Sequence, residues 1–541
     1  MKFRLLGGAM AVSVMALLTS PAVAFDGKSV AAPDCSYGGK IKSIVATDEY
    51  TVTFSMCSPD PAFKAKAAFV PFGIQPAKHI EELGPKKKLL DNPIGTGPFK
   101  LESWNRGDSI TMVRNDNYWG PKPAYKTLVF RWNQSGAGRL NELRAGTVDE
   151  IANISPDDFD SVKNDPDLQF LPQESPNVLY LGMVNTVKPF DNEKVRQAIA
   201  MGIDRKRIVD NFYPKGSVVA THFTPCSLPN GCAGKDWYGF DLSAAKKLLA
   251  EAGYPNGFKT KIYYRDVFRA YLPEPGAVAV EFQTQLKKNL GIDAEVVPVE
   301  SGKFIADTSA GKIDGLYLLG WGADYPHITN FLDYHFGKTS KLFGTTFADI
   351  TDGLTKGGTI ADTKKAEPIY AAVNDAIRQH VPMVPIVHGA AAYAARATLK
   401  NAAVRPFGSP LLQDEIPGKD TLVFMQNAEP ISLYCGDETD GETLNACTPI
   451  TETLLNYAKD SGEILPGLAT SCDANADSTV WTCHLRKGVK FTDGSDFNAN
   501  DVVASWAAGI DASNPAHVGN TGSFDYFDSL WGGLMNAKKK S

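Results

Sequence analysis

Gly315-Leu-Tyr-Leu-Leu-Gly-Trp-Gly-Ala-Asp-Tyr-Pro-His-Ile-Thr-Asn-Phe-Leu332 reads as a strand running into a loop, and its neighbours decide the class of fold. Leu316 to Leu319 is a short apolar run of the kind that fills a buried strand. Gly320-Trp321-Gly322 ends it, Pro326 blocks regular structure, and Asn330-Phe331-Leu332 opens a new element. Upstream, Val278, Phe282, Leu286 and Leu290 recur at the spacing of one helical face, with Gly291 as the stop. Ala294 to Val299 then predicts a strand. Asp241 to Glu251 predicts an earlier helix, with Asp241 as its cap, Leu248 and Leu249 inward and Gly253 beyond its end. Helix and strand alternate from there to Asp324, the pattern of an α/β lobe. Asp324 itself stands between Trp321 and Tyr325. A carboxylate just past a buried strand can meet a cation in a crevice while rings pack a ligand's apolar part. The same residue type also caps the turn or helix after a strand, and the residues alone leave both roles open.

A chain of 541 residues exceeds one core, and at about 100–200 residues per domain it predicts roughly three lobes. Hydrophobic content of 43% with 21% charged residues is that of a soluble globular protein. A net charge of −6 with no basic stripe argues against a nucleic-acid partner or an anionic membrane surface. Lys538-Lys539-Lys540 reads as a solvated tail. At the other end, Lys2 and Arg4, an apolar centre from Leu5 to Leu18 and Ala22-Val23-Ala24 make residues 1–24 a signal peptide, too short in its apolar part to span a membrane. No Cys follows the cleavage site, so a soluble periplasmic product is expected rather than a lipid-anchored one.

Eight cysteines in an exported chain read as disulfides. About 105 pairings are open in principle, but spacing groups them as Cys35 with Cys57, Cys226 with Cys232, Cys435 with Cys447, and Cys472 with Cys483. The last couple brackets the turn run Asp473 to Ser478, which would set its members across adjacent strands. No C-x-x-C pair occurs and no His stands at ligand spacing, so neither a metal nor a cofactor is expected.

Elsewhere, Phe25 to Pro33 reads as linker. Val52 and Phe54 alternate with Thr in a half-buried strand after an Asp-Glu turn, and Ala62 to Ala68 reads as a helix. Gly95 and Gly97 complete no phosphate-loop string and read as structural. Val195, Ala198, Ile199 and Ile203 give one apolar helical face, leaving the polar residues of that stretch as solvated surface. Asp437-Glu438-Thr-Asp440-Gly-Glu442 lacks the spacing of a calcium loop and reads as a solvated turn. A secreted hydrolase would need a nucleophile elbow or a metal set; neither G-x-S-x-G nor H-E-x-x-H occurs, so no catalytic residues are expected. His380 and His388 read as the ends of a buried strand.

Several strings resemble one family. "GWGADYPHITNFL" (Gly320 to Leu332) is similar to the Gly-Trp-x-x-Asp-Tyr-x-x-x-x-x-Phe-Leu segment of the dipeptide- and oligopeptide-binding proteins, the extracytoplasmic solute-binding subunits of ABC importers (family 5). "IGTGPFKLESW" (Ile94 to Trp104), "VRNDNYWG" (Val113 to Gly120), "GRLNELRAGTVDE" (Gly138 to Glu150) and "VRQAIAMGIDRKRIV" (Val195 to Val209) resemble its segments in its order. Phe268 to Pro275 is similar to its Arg-x-Tyr-x-Pro segment. The resemblance implies a class II periplasmic binding protein, with two large lobes plus an extra subdomain around a ligand cleft. It implies that Asp324 takes a ligand's α-ammonium, with Trp321 and Tyr325 packing nearby; Arg269 can pair a ligand carboxylate in a bidentate way or be a surface or interdomain arginine, and Tyr271 is a candidate in the same segment. Glu429 and Tyr434 are further candidates near a lobe junction.

The order of the segments departs from the family. Asp420 to Leu433 looks like the first strand of the mature family protein. "EILPGLATS" (Glu463 to Ser471) and "HLRKGVKFTDGSDFNANDVVASW" (His484 to Trp506) resemble its N-terminal quarter, yet stand last here. Circular permutation is the expectation, with residues near Val30 and Ser541 close in space. The lobes are then discontinuous: 36–90 with 456–541, 91–186 with 396–455, and 187–395. The function implied is capture of di- or oligopeptides and delivery to a permease and its ATPase in the inner membrane, by a monomer. The alternative is the same role for an oligosaccharide, an opine or a nickel chelate.

Overall fold

The computed structural model describes residues 25–173 and 176–537. The signal peptide expected at 1–24, the lysine tail and Ser541 lie outside the described residues. Among those described, no helix is long and apolar enough to cross a membrane.

The alternation leading to Asp324 folds into a six-stranded sheet. Its order is Val218–Val219, Met383–His388, Asn177–Met183, Leu316–Gly322, Lys259–Tyr264 and Asp293–Pro298. Helix Pro275–Leu290 connects the last two strands, which run parallel, and buries Val278, Phe282, Leu286 and Leu290. Asn177–Met183 is buried at every residue, as a strand covered on both faces must be. Leu316–Gly322 outlasts the apolar run that announced it, because this central neighbour pairs with it as far as Trp321 with Val178 and Gly322 with Asn177. Gly320 is required there: a Cβ would lie 2.3 Å from the ring of Tyr271 and 2.4 Å from the Val178 carbonyl oxygen.

A seven-stranded sheet joins Phe99–Asn105, Ser109–Arg114, Thr127–Trp132, Thr421–Gln426, Glu150–Ile151, Ala391–Arg396 and Leu168–Gln173 in that order. Gly95 lets the loop leading into it approach its neighbour, since a Cβ would stand 2.0 Å from the Ile450 carbonyl oxygen.

The five-stranded sheet draws on both ends of the described chain. Ser29–Ala31, Ile41–Asp48 and Thr51–Met56 are followed in it by Val480–Leu485 and Ala469–Ala474. Phe54, Phe63 and Phe72 from one end pack with Trp506 and Trp531 from the other, at ring separations of 4.9 to 6.5 Å. Each such pair contributes about 0.5–1.5 kcal/mol beyond its burial, so the two ends hold each other. Asn536 Nδ2 donates to the Ala31 carbonyl at 3.5 Å, and Lys40 N to the Trp531 carbonyl at 2.6 Å. The stretch read as linker is therefore partly a strand, because Ile41–Asp48 offers Ser29–Ala31 an edge to pair with.

All four cysteine couples are bonded, and Cys472 faces Cys483 across adjacent antiparallel strands. His222 does lie with Cys226 and Cys232 in a cluster of metal-ligand type, but those sulfurs are bonded to each other and are not thiolates.

Two expectations of solvated surface fail, because Arg196, Arg205 and Asp437 find backbone partners inside, and one expected strand end lies on a helix. Arg196, 2% exposed, donates to the carbonyls of Phe190, His380 and Val381, and Arg205 to those of Ala220, Pro385 and Tyr238. Asp437 and Glu438 are buried rather than solvated, and Asp440 caps helix Gly441–Cys447 through the Thr443 N–H. His380 ends helix Thr363–His380, while His388 does end a strand.

Candidate functional site

Strands Lys259–Tyr264 and Leu316–Gly322 are parallel. Met383–His388 points the same way, since both it and Leu316–Gly322 are antiparallel to Asn177–Met183. Three loops therefore leave one edge of the six-stranded sheet: 265–274 with Arg269 and Tyr271, 323–328 with Asp324, and the turn at Gly389. Ligand sites of open α/β sheets form outside such carboxyl ends. The loops are in contact. A Cβ on Gly389 would lie 2.3 Å from the Ala270 carbonyl oxygen, Tyr271 covers Gly320, and Tyr213 Oη donates to the Tyr271 carbonyl at 2.8 Å.

Asp324 is half-buried at this edge. Its Oδ2 accepts from Asn330 Nδ2 at 2.9 Å, and Asn330 Oδ1 accepts in turn from Trp321 Nε1 at 3.0 Å and the Asp324 N–H at 3.1 Å. Its Oδ1 accepts from Tyr526 Oη at 2.9 Å, across the gap, from the lobe built on the five-stranded sheet. Tyr457 Oη reaches the Asp324 carbonyl from the same side at 3.4 Å. The capping role is not the one adopted, because helix Thr329–Phe336 has no side-chain cap. No lysine or arginine among the described residues forms an ion pair with Asp324. Desolvation pushes its pKa up to about 6, against the bonds from Asn330 and Tyr526, which lower it.

Of the other candidates, Trp321 stacks on Tyr334 at 4.4 Å, while Tyr325 is 2% exposed and bonded to the Thr329 hydroxyl. Arg269 donates to the Phe268 carbonyl at 2.9 Å and makes no ion pair among the described residues. Glu429 is not brought to Asp324. It accepts from Trp104 Nε1 and the Gly107 N–H beside the edge strand Phe99–Asn105. Tyr434 is buried with its ring edge-on to Phe524, two residues from Tyr526.

A cavity of about 450 Å³ opens along the same gap, walled by Trp321, Tyr325, Asn330, Asp333 and Tyr334 on one side and Lys40, Lys66, 528–530, Gly532 and Gly533 on the other. Its charges are matched internally. Lys66 Nζ lies 2.7 Å from Asp60 Oδ2, both side chains at most 2% exposed, and Lys40 Nζ lies 3.9 Å from Asp60 and 3.6 Å from Asp333. Burial draws the Lys66 pKa down to about 8, with Asp60 opposing the shift. Burial likewise draws His327, beside this cluster, down to about 4.

Sequence reasoning missed Tyr526, Tyr457 and the lysine–aspartate cluster. Asn330 alone carried a signal, as the amide inside the quoted motif.

The model of the bacterial extracellular solute-binding proteins, family 5 (middle), matches residues 17–343 and 463–530. The chain belongs to that family. It is similar to di/tripeptide-binding protein 1 of Pseudomonas aeruginosa, 30% identical over 386 residues that cover 69% of this chain and 71% of the relative. It is 27% identical to heme-binding protein A of Haemophilus influenzae over 376 residues, 68% of each chain. Among solved structures, the dipeptide-binding protein of Pseudoalteromonas sp. SM9913 in complex with Met-Leu superposes with a TM-score of 0.62 at 26% identity, over 70% of this chain and 76% of that one.

Proposed function

We propose that this solute-binding protein captures short peptides by their α-ammonium group at Asp324 and carries them to an inner-membrane ABC permease and ATPase. One observation carries the reading: a carboxylate set between two lobes, with a neutral donor on each oxygen and no cation paired to it among the described residues. Each carboxylate oxygen retains acceptor capacity. An incoming ammonium would be held by charge as well as hydrogen bonds, and Arg269 at the same sheet edge has donors left for the opposite end of a peptide. Truncating one partner of such a desolvated pair costs about 2–5 kcal/mol, a large share of the roughly −8 kcal/mol of a micromolar complex. Residues 1–24 would direct export to the periplasm. The lobes are taken as 36–90 with 456–541, 91–186 with 396–455, and 187–395, with two boundaries corrected to fall before Asn177 and before Ala391, because Asn177–Met183 pairs in the six-stranded sheet and Ala391–Arg396 in the seven-stranded one. The segment order is read as a circular permutation, supported by the contact of Asn536 with Ala31.

The test is calorimetry with L-alanyl-L-alanine and its N-acetyl derivative. Acetylation removes the positive charge and should abolish measurable binding. Equal affinity for the two would favour a non-peptide solute. Mass spectrometry of ligand released from protein purified out of the periplasm identifies the natural cargo.

A further inference from the structure

The acidic turn that read as solvated is the most densely bonded carboxylate site in the described structure outside the gap. Asp437 is 3% exposed. Its Oδ2 accepts from the backbone N–H of Thr521 at 2.7 Å and of Gly522 at 2.9 Å, and its Oδ1 from the N–H of Phe524 at 2.7 Å. The Thr521 hydroxyl adds a contact to each oxygen, at 3.0 and 3.2 Å. One side chain from the turn Cys435–Asp437, anchored by the Cys435–Cys447 bond, thus organises a loop that follows it by more than eighty residues.

That loop ends where the site begins. Phe524 is left-handed at φ +47, a conformation that a bulky residue adopts only when its surroundings force it. Here Asp437 holds its N–H, and its ring is stacked on His517 at 4.2 Å with Tyr434 edge-on. Helix Asp525–Trp531 starts at the next residue, and its second residue is Tyr526, whose hydroxyl donates to Asp324. A change in the Phe524 backbone turns the first turn of that helix, and Tyr526 with it.

We propose that Asp437 is a positioning residue for the ligand site: by fixing the backbone of 521–524 it sets Tyr526 against Asp324 from the opposite lobe. Its effect on affinity rests on the peptide reading above; its effect on Asp324 does not. Among the described residues, the groups that face the Asp324 carboxyl are Asn330, Tyr325 and Tyr334 from its own lobe and Tyr457 and Tyr526 across the gap, none of them charged. Loss of the Tyr526 hydrogen bond therefore raises the Asp324 midpoint, because that bond favours the ionised form.

The experiment follows the ¹³C carboxyl shift of Asp324 with pH in ligand-free wild type, Asp437→Asn, Tyr526→Phe and the double variant. Both single variants should raise the midpoint, and the double variant should go no higher than Tyr526→Phe alone. In calorimetry with L-alanyl-L-alanine, Asp437→Asn should bind about tenfold more weakly. An unchanged midpoint in folded Asp437→Asn, or shifts that add in the double variant, would overturn the proposal. If Asp437→Asn does not fold, the exposed Thr521→Ala replaces it, with a smaller rise expected and no rise counting against. Coupled midpoints in a protein that does not bind the dipeptide would retain Asp437 as positioning residue and remove the peptide reading.

Discussion

Asp324 and Asp333 stand nine residues apart and face the same gap, yet the protein treats their charges differently. Asp333 meets Lys40 from the opposite lobe at 3.6 Å, and Lys40 with Lys66 also serves Asp60. Among the described residues, the Asp324 carboxylate meets only neutral donors, Asn330 and Tyr526. A carboxylate answered inside the protein is finished, and serves to hold lobes or loops in place. On the reading proposed above, one left with hydrogen bonds but no counter-charge in a crevice is half of an ion pair that a ligand amine would complete. A third environment keeps this inference in bounds. Glu150 and Glu415 are buried together in the seven-stranded lobe with no ion pair among the described residues, Lys459 acting on Glu415 only from a distance. Burial pushes Glu150 up to about 7, and burial together with Glu150 raises Glu415 well above its usual value. That pair resolves its charge by keeping a proton, which a carboxyl at a half-open edge does not need to do at neutral pH.

Breaking the finished cluster should have the largest effect on folding. Lys66→Met leaves Asp60 buried against one distant lysine, at a cost of about 3–5 kcal/mol. Urea unfolding should show that loss while dipeptide affinity per folded molecule is retained; a variant that loses affinity instead would place the cluster in the ligand site. Glu150→Gln should act through pH. A folded-state pKa raised above the unfolded value gives stability that is full below about 4.5 and lost as pH climbs through about 7. The variant should therefore flatten the fall in Tm between those values and melt higher than wild type at pH 8. Lys40→Met should do least. Its partner Asp333 is 34% exposed at the side chain and Lys40 is 26% exposed, so solvent screening leaves about 1 kcal/mol or less, read as a small drop in Tm.

The α/β lobe was legible because helix Pro275–Leu290 and its flanking strands bury a face whose period is written in the chain. Asp324 was legible because a motif surrounds it. Tyr526 was not, for its hydroxyl reaches Asp324 only after two distant segments pack, and no local pattern encodes that. The acidic turn misled for the same reason. Exposed and buried aspartates look alike in sequence, and only the N–H groups of 521–524 distinguish Asp437. Ser29–Ala31 was read as linker because the pairing partner that makes it a strand could not be seen in its composition.

The most direct measurement is the affinity of Asp324→Asn for L-alanyl-L-alanine against that of wild type across pH. Asparagine keeps the size and the contact with Asn330 or Tyr526 but removes the charge. Wild-type binding should weaken about tenfold per pH unit below about 6 as the carboxylate takes up its proton. The variant should bind at least about tenfold more weakly at pH 8 and show no such slope. Equal affinity for wild type and variant, with the same pH profile, would contradict an ammonium held by Asp324.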